Sequence, residues 1–441
     1  MIVKCYFSER LVSEKEDWII MTLQTLTESE IIATLVALAI LLFFAYTLGY
    51  LMERIKAPRV VGEITGGILI GGTFLYHFWP DFIGSIFLSY ESEGKVLNIF
   101  YQLGLVFLMF LSGYNTKLEI DKSNTRTIGC VFVGATILPM LGAIPFIPMF
   151  RNAFIGEISN DIAFGLVFTI GVAITSIPVI SKIFFDMGIM NTRFSNTVLT
   201  VSTFQDLCLW ILLNAATRIA TTGELKLPDM LIIVSFTLGL FIIAKLISDH
   251  MHTRDLKIRA ITFYSLSFVL LLLVCAGLYL VGINIMYAAF LVGYLVKSFV
   301  GDSEESDAKK RMDSLGDFAF SFFVPIYFAL VGIQLNLIHD FSPIRFIAFF
   351  AIAFGLEGIG TLIMTQFSDL NKRAKKNFAI TMNARGGPGI VLATVAYSYG
   401  IINTEFFTVL ILTTMISSLI AGYWLRRQQK IDEDVFMNLT K

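Results

Sequence analysis

Charge is scarce in this sequence. Only 15% of its 441 residues are Asp, Glu, Lys or Arg, where a soluble domain carries about 25%. The net charge is −1, which leaves no basic excess with which to hold nucleic acid. Cysteine is equally thin. Cys5, Cys130, Cys208 and Cys275 are scattered and make neither a disulfide framework nor a metal site. The four histidines, His77, His250, His252 and His339, all fall at the ends of apolar runs. There is no zinc-ligand spacing, no nucleophile elbow and no phosphate-binding glycine loop, so neither an enzyme nor a resident cofactor is expected. The first 20 residues mix Lys4, Glu9, Arg10, Glu14, Lys15, Glu16 and Asp17, unlike a signal peptide.

What remains is apolar. Hydrophobic residues make up 56% of the chain, with a mean hydropathy of +0.75. They fall in runs of about 20, the length that crosses a bilayer as a helix. Thirteen spans are expected, at 31–52, 60–79, 96–114, 127–149, 162–185, 194–217, 229–248, 259–281, 283–300, 316–337, 343–367, 375–399 and 403–425. The fold class is an all-α polytopic membrane protein. Residues 1–30 form an N-terminal extracytoplasmic segment, 31–425 the membrane domain and 426–441 a short cytoplasmic tail too small to fold alone. Orientation follows from the loops. Alternate loops hold Arg54, Lys56 and Arg59; Lys117, Lys122 and Arg126; Lys182 and Arg193; Arg254, Lys257 and Arg259; Lys309 to Arg311; and Lys372 to Lys376. The other loops hold little beyond Lys95, Arg151, Arg218, Lys226 and Arg345. The positive-inside rule therefore places the N-terminus outside and the C-terminus in the cytoplasm, most simply of the plasma or inner membrane.

Two spans carry helix-breaking sequences at their centres. The fifth has Ile174-Thr175-Ser176-Ile177-Pro178, and the twelfth has Arg385-Gly386-Gly387-Pro388-Gly389. Proline lacks the N–H its helix needs, and glycine loosens the backbone. In the fifth span an ordinary proline kink competes with a true break, whereas the twelfth favours a break. Such backbone is tolerated at midplane only where it is buried or lines a cavity. The two lie seven spans apart in the count, which fits an inverted-repeat transporter with a midplane site.

The sixth span holds one charged residue, Asp206, 13 positions after Arg193 and 12 before Arg218. A carboxylate about 20 Å from either boundary costs at least ~2.5–3.5 kcal/mol to insert. It reads as an ion or proton site, against the alternative of a structural carboxylate bonded to a neighbouring helix. Ser202 and Thr203 lie on its face at i−4 and i−3. With Thr175 and Ser176 they offer hard oxygens suited to an alkali cation or a proton, unless they bond back to their own helices. One carboxylate that holds either a proton or a cation provides the competition that antiport needs. Glu357 is a second central acid, in the eleventh span. It serves the ion directly or pairs with Arg385, which precedes the break in the twelfth. Glu63 reads as structural, and Gly62, Gly66 and Gly71, with Gly67 and Gly72, fit close helix packing.

With these residues in hand, the chain resembles the second branch of the monovalent cation:proton antiporter family over residues 31 to about 425. The likeness rests on Pro58-Arg-Val-Val-Gly-Glu63-Ile-Thr-Gly-Gly-Ile-Leu-Ile-Gly71, on Phe110-Leu-Ser-Gly113, on Thr175-Ser176-Ile-Pro178, and on Asn383-Ala-Arg385-Gly386-Gly387 with Ile390-Val-Leu-Ala393. It implies inverted repeats with two crossed discontinuous helices, a homodimer in the lipid bilayer, and a core that moves like an elevator against a dimerisation domain. Family members carry paired polar residues after the first crossing helix, here Gln205-Asp206. That pair is similar to the membrane domain of glutathione-gated potassium efflux antiporters and implies electroneutral exchange of one monovalent cation, K+ or Na+, for H+. Two features depart from the family. Glu357 stands where a lysine is frequent, and the potassium efflux members' nucleotide-binding domain is missing, so any regulation of that kind would need a separate cytoplasmic subunit. The competing functional class is a cation channel, or a channel-like efflux subunit gated by such a partner.

Overall fold

In a computed structural model the chain folds as a bundle of helices, and no strand ladder forms among the described residues. The structure describes residues 25–116, 124–190, 192–224, 260–280, 282–300 and 307–439, with 231, 234–237, 239, 240, 242, 243 and 246. Most of the expected seventh span, most of the N-terminal segment, Cys5 and several basic loop residues lie outside them.

The helices are α1 (Glu28–Arg54), α2 (Arg59–Ile70), α3 (Leu75–Phe78), α4 (Pro80–Phe87) and α5 (Glu91–Tyr114). Next come α6 (Thr125–Phe154), α7 (Asp161–Val172), α8 (Ile177–Asp186) and α9 (Arg193–Thr222). The second half has α10 (Ala260–Leu280), α11 (Ile285–Val300), α12 (Asp307–Ser321), α13 (Phe323–Ile333), α14 (Pro343–Met364), α15 (Lys372–Thr381), α16 (Gly387–Ser398) and α17 (Thr404–Ile431). Eight helical stretches among the described residues are long and apolar enough to cross a membrane.

Helix ends follow local chemistry. A capping box starts α1: the Thr27 side chain accepts from Glu30 N, and Glu30 Oε2 accepts from Thr27 N at 2.7 Å. Asn160, Thr192 and Asn403 cap α7, α9 and α17 with their side chains, satisfying amides that have no partner within the helix. Gly223, at φ +81°, ends α9 in the left-handed region.

Several spans depart from unbroken helices. The second stops at Gly71 after 12 helical residues and continues as short α3. The tenth breaks at Phe322, between α12 and α13. The fourth, α6, contains a π-helical turn at Val133–Ile137 just before Pro139. The last helix runs to Ile431, beyond the expected end at 425. The tail after it packs back, with Val435, Phe436 and Leu439 buried beside Phe194, and Leu439 O accepts from Asn371 N at 2.8 Å.

Packing sorts the described helices into two sets. α1–α5 and α10–α13 pack among themselves, as do α6–α9 and α14–α17. Missing side chains allow the first set to close. Added Cβ atoms at Gly62 and Gly66 would strike the backbone of α1, one at Gly67 would strike α13, and those at Gly113 and Gly293 would strike α11 and α5. Backbones that approach this closely are typical of helices packed in lipid. The second set repeats a motif of one span, one broken span and one long span: α6, α7–α8, α9, then α14, α15–α16, α17.

Candidate functional site

The twelfth span is broken as expected, the fifth resolves as a break and not a kink, and the two breaks meet. The first lies between Val172 and Ile177, the second between Thr381 and Gly387. Ser176 is the N-cap of α8, its Oγ accepting from Val179 N at 3.4 Å. Pro178 and Pro388 fall at the starts of α8 and α16, where a missing N–H costs no helical hydrogen bond. Ser176 N donates to Ala384 O at 2.8 Å, stitching one break to the other. Gly386 lies so close to the Ser176 side chain and Val179 that a Cβ would collide with both.

A broken helix exposes carbonyls that need donors. The predicted site residues supply them. Val172 O, at the end of α7, accepts from Arg385 Nη2 at 2.8 Å. Ala173 O accepts from Gln205 Nε2 at 2.6 Å. Met382 O, at the end of α15, accepts from Thr175 Oγ1 at 2.5 Å. Gln205 Nε2 also reaches Ala135 O at 3.1 Å in the π-helical turn. Ala135 is four residues before Pro139, so proline withholds the amide that would ordinarily serve that carbonyl.

Glu357 on α14 points into the same place. Its Oε2 accepts from Arg385 Nη2 at 2.7 Å, with side chains 0% and 1% exposed, and its Oε1 lies 3.2 Å from Thr175 Oγ1. Gln205 faces it as well. Of the two roles open to Glu357, pairing with Arg385 is the one seen. A half-helix C-terminus is electronegative, so Arg385 balances both a carboxylate and a helix end.

Asp206, one residue on from Gln205, is 1% exposed. Among the described residues nothing donates a hydrogen bond to either of its oxygens. Ser202 is buried on the same helix with its Oγ equally unpartnered, so it hydrogen-bonds neither to α9 nor to the carboxylate; Thr203 is also buried. Other buried acceptors without partners among the described residues include Gln205 Oε1, Asn383 Oδ1 and Thr136 Oγ1. Thr136 and Asn383 escaped the sequence reading as site residues. Pro139 marked the first, as the residue that loosens α6, and the second lies within the twelfth-span motif. The region of the breaks thus offers buried hard oxygen acceptors and one unpaired carboxylate, in a setting where a buried charge demands compensation. Among the described residues no cluster of His, Cys, Asp and Glu could hold a metal ion.

The rest of the map is structural. Arg59 Nε bonds Glu63 Oε1 at 2.8 Å, and the Arg59 guanidinium lies 4.9 Å from the centre of the Tyr46 ring. His77 and His339 face each other with ring centres 6.4 Å apart, away from the crossing.

Comparison with known proteins converges on one family. Residues 38–428 match the family model described as sodium/hydrogen exchanger, transmembrane. The chain is similar to the Na+/H+ antiporter NhaS4 of Synechocystis, at 22% identity over 87% of this chain and 94% of that one. It is similar to the Na+/H+-K+ antiporter GerN of Bacillus cereus, at 25% identity over 86% and 93%. In fold it is similar to the sodium/proton antiporter MjNhaP1 of Methanocaldococcus jannaschii, with a TM-score of 0.64 and 13% identity over 93% of this chain and 99% of that one.

Proposed function

The chain belongs to the transmembrane sodium/hydrogen exchanger family, and from that premise we propose that it is a cation/proton antiporter in which Asp206 alternately holds a proton and a monovalent cation, K+ or Na+. The observation that carries this reading is the Asp206 carboxylate, buried with neither oxygen hydrogen-bonded and next in sequence to Gln205, whose amide binds the first break at Ala173 O. A structural carboxylate would be expected to have donors, because an unpaired buried charge is costly. A binding site must leave its ligand atoms free.

The Glu357–Arg385 pair supports electroneutral exchange. With Glu357 balanced at 2.7 Å by Arg385, Asp206 is the one central acid left to trade ligands, one charge for one charge. The sorting of helices into two sets supports elevator-like movement of the crossing-helix set against the other. The scheme needs no resident cofactor. It is completed by a homodimer in the plasma or inner membrane, the N-terminus outside, the C-terminus in the cytoplasm, and any ligand control supplied by a separate cytoplasmic subunit. Exchange takes precedence over the channel alternative because the matching family model is one of exchangers.

The test is coupled flux. Purified protein in sealed proteoliposomes with a trapped pH dye should dequench on addition of Na+ or K+ across a range of pH, with Li+ and Rb+ as comparisons. Electroneutrality predicts that clamping the membrane potential leaves the rate unchanged. Cation flux with no linked proton movement would instead identify a channel.

A further inference from the structure

Any motion of one helix set against the other must break the directional contacts between them. Two such contacts stand out. Tyr327, on α13 of the first set, shares a hydrogen bond with Thr394, on α16 of the second, at 3.1 Å. Both residues are buried, at 0% and 3% exposure. Asn284, between α10 and α11, donates its backbone N–H to Asn214 Oδ1 on α9 at 2.7 Å, and its side-chain amide lies 3.4 Å from the hydroxyl of Tyr399, just after α16. Asn284 Oδ1 in turn accepts from Met286 N at 2.8 Å, so its own helix start holds it rigid.

Both contacts sit on the same side of the crossing. α9 runs from the basic loop at Arg193 to Thr222, and Asn214 lies in its final third. α16 runs from the break at Gly387 away from the basic end, placing Thr394 beyond the crossing and Tyr399 at its far terminus. α13 follows α12, which carries Lys309, Lys310 and Arg311, so Tyr327 is also past the basic end. Elsewhere the boundary includes apolar contact, as where Leu108 lies against Gly387. Apolar side chains can slide by changing rotamer, whereas a buried hydrogen bond is either made or lost.

We propose that Tyr327–Thr394 and Asn284–Asn214–Tyr399 form a latch that closes the boundary between the two helix sets on the side away from the basic loops, and that both clasps open once in every transport cycle. This rests on the reading of the chain as a two-body antiporter. It makes Tyr327, Thr394, Asn214 and Asn284 positioning residues, which set how long the site faces each side without touching the ion.

The test reads conformation separately from transport. Spin labels are placed at Phe78→Cys and Ile158→Cys, exposed positions on the two sets, with the native cysteines replaced, and the distance between them is measured in lipid nanodiscs. Tyr327→Phe removes one hydroxyl and keeps the ring; Asn214→Ala removes the acceptor of the second clasp. Each should raise the population of a second distance by about five-fold, the worth of one hydrogen bond, and the combined variant should raise it further. An identical distance distribution in both single variants and the combination overturns the latch, whatever the transport rate. In a second arm, Asn214→Cys and Asn284→Cys are joined by a short cleavable thiol cross-linker. Exchange should fall more than tenfold and return on cleavage. Quantitatively cross-linked protein that exchanges at full rate also overturns the proposal. Wild-type protein with no coupled exchange would count against the antiport reading alone, because the distance measurement does not depend on it.

Discussion

Arg385 and Glu357 meet at 2.7 Å, 28 residues apart in sequence, with neither side chain more than 1% exposed. The same guanidinium reaches Val172 O at 2.8 Å. One cation therefore balances an acid from the eleventh span and the end of a half-helix from the fifth. Removing either partner strands a charge in the bundle.

Breaking a buried pair costs about 3–5 kcal/mol when one charge is left uncompensated. Glu357→Gln should therefore lower the apparent Tm well beyond the effect of a surface substitution. Combining it with Arg385→Met should recover a large part of the loss, since both charges are then gone. Thermal unfolding of the four proteins in detergent gives the coupling directly. A Glu357→Gln protein as stable as wild type would show that the pair contributes nothing.

Asp206 has no hydrogen bond to lose. Asp206→Asn should therefore leave the apparent Tm at or above the wild-type value, because a neutral amide relieves the cost of a buried charge. Coupled exchange should vanish in the same protein. Proteoliposome dequenching beside a melting curve separates the two effects. Exchange at the wild-type rate would remove Asp206 from the mechanism.

Gln205 supplies the donor for Ala173 O and Ala135 O. Gln205→Leu leaves two buried carbonyls without it, at about 1–3 kcal/mol each. The expected outcome is an apparent Tm depressed far more than by substituting an exposed residue of the same helix such as Thr221. A shift no larger than the Thr221→Ala control would mean that the carbonyls find other donors.

Glycines in the first helix set divide by surroundings. A Cβ on Gly67 would meet the α13 backbone at Ala329, whereas one on Gly94 would meet nothing within 4 Å. Gly67→Ala should destabilise by about 1–3 kcal/mol through overpacking. Gly94→Ala, inside α5, should be neutral or stabilise by up to about 1 kcal/mol, the difference in helix propensity. Melting curves of the two variants should move in opposite directions or differ by that sum. Equal shifts would contradict the packing.

Much of this was legible without coordinates. The break at Arg385-Gly386-Gly387-Pro388 announced itself through proline and glycine, whose backbone effects are local, whereas Pro178 left a kink and a break equally open at Thr175-Ser176. Asp206 was conspicuous because charge is rare in apolar runs. The π-helical turn at Val133–Ile137 was not foreseen, although Pro139 lies just after it, because a proline in a span can be met by a kink, a bulge or a break. The docking of Phe436 beside Phe194 was equally hidden, since nothing in a short tail names the groove it fills.

The sequence by itself determined the class, the break in the twelfth span and the identity of the central acids, because each depends on composition or on chemistry within a few residues; that the fifth span breaks and does not merely kink was left to the structure. Only the tertiary structure decided which acid is paired. Thr175, Gln205, Glu357 and Arg385 come from four separate spans, and their contacts exist only once the half-helices cross. Spacing along one helix placed Ser202 and Thr203 beside Asp206, yet no hydrogen bond joins them to it. Partners across the bundle are set by how the helices pack, and no local pattern encodes that.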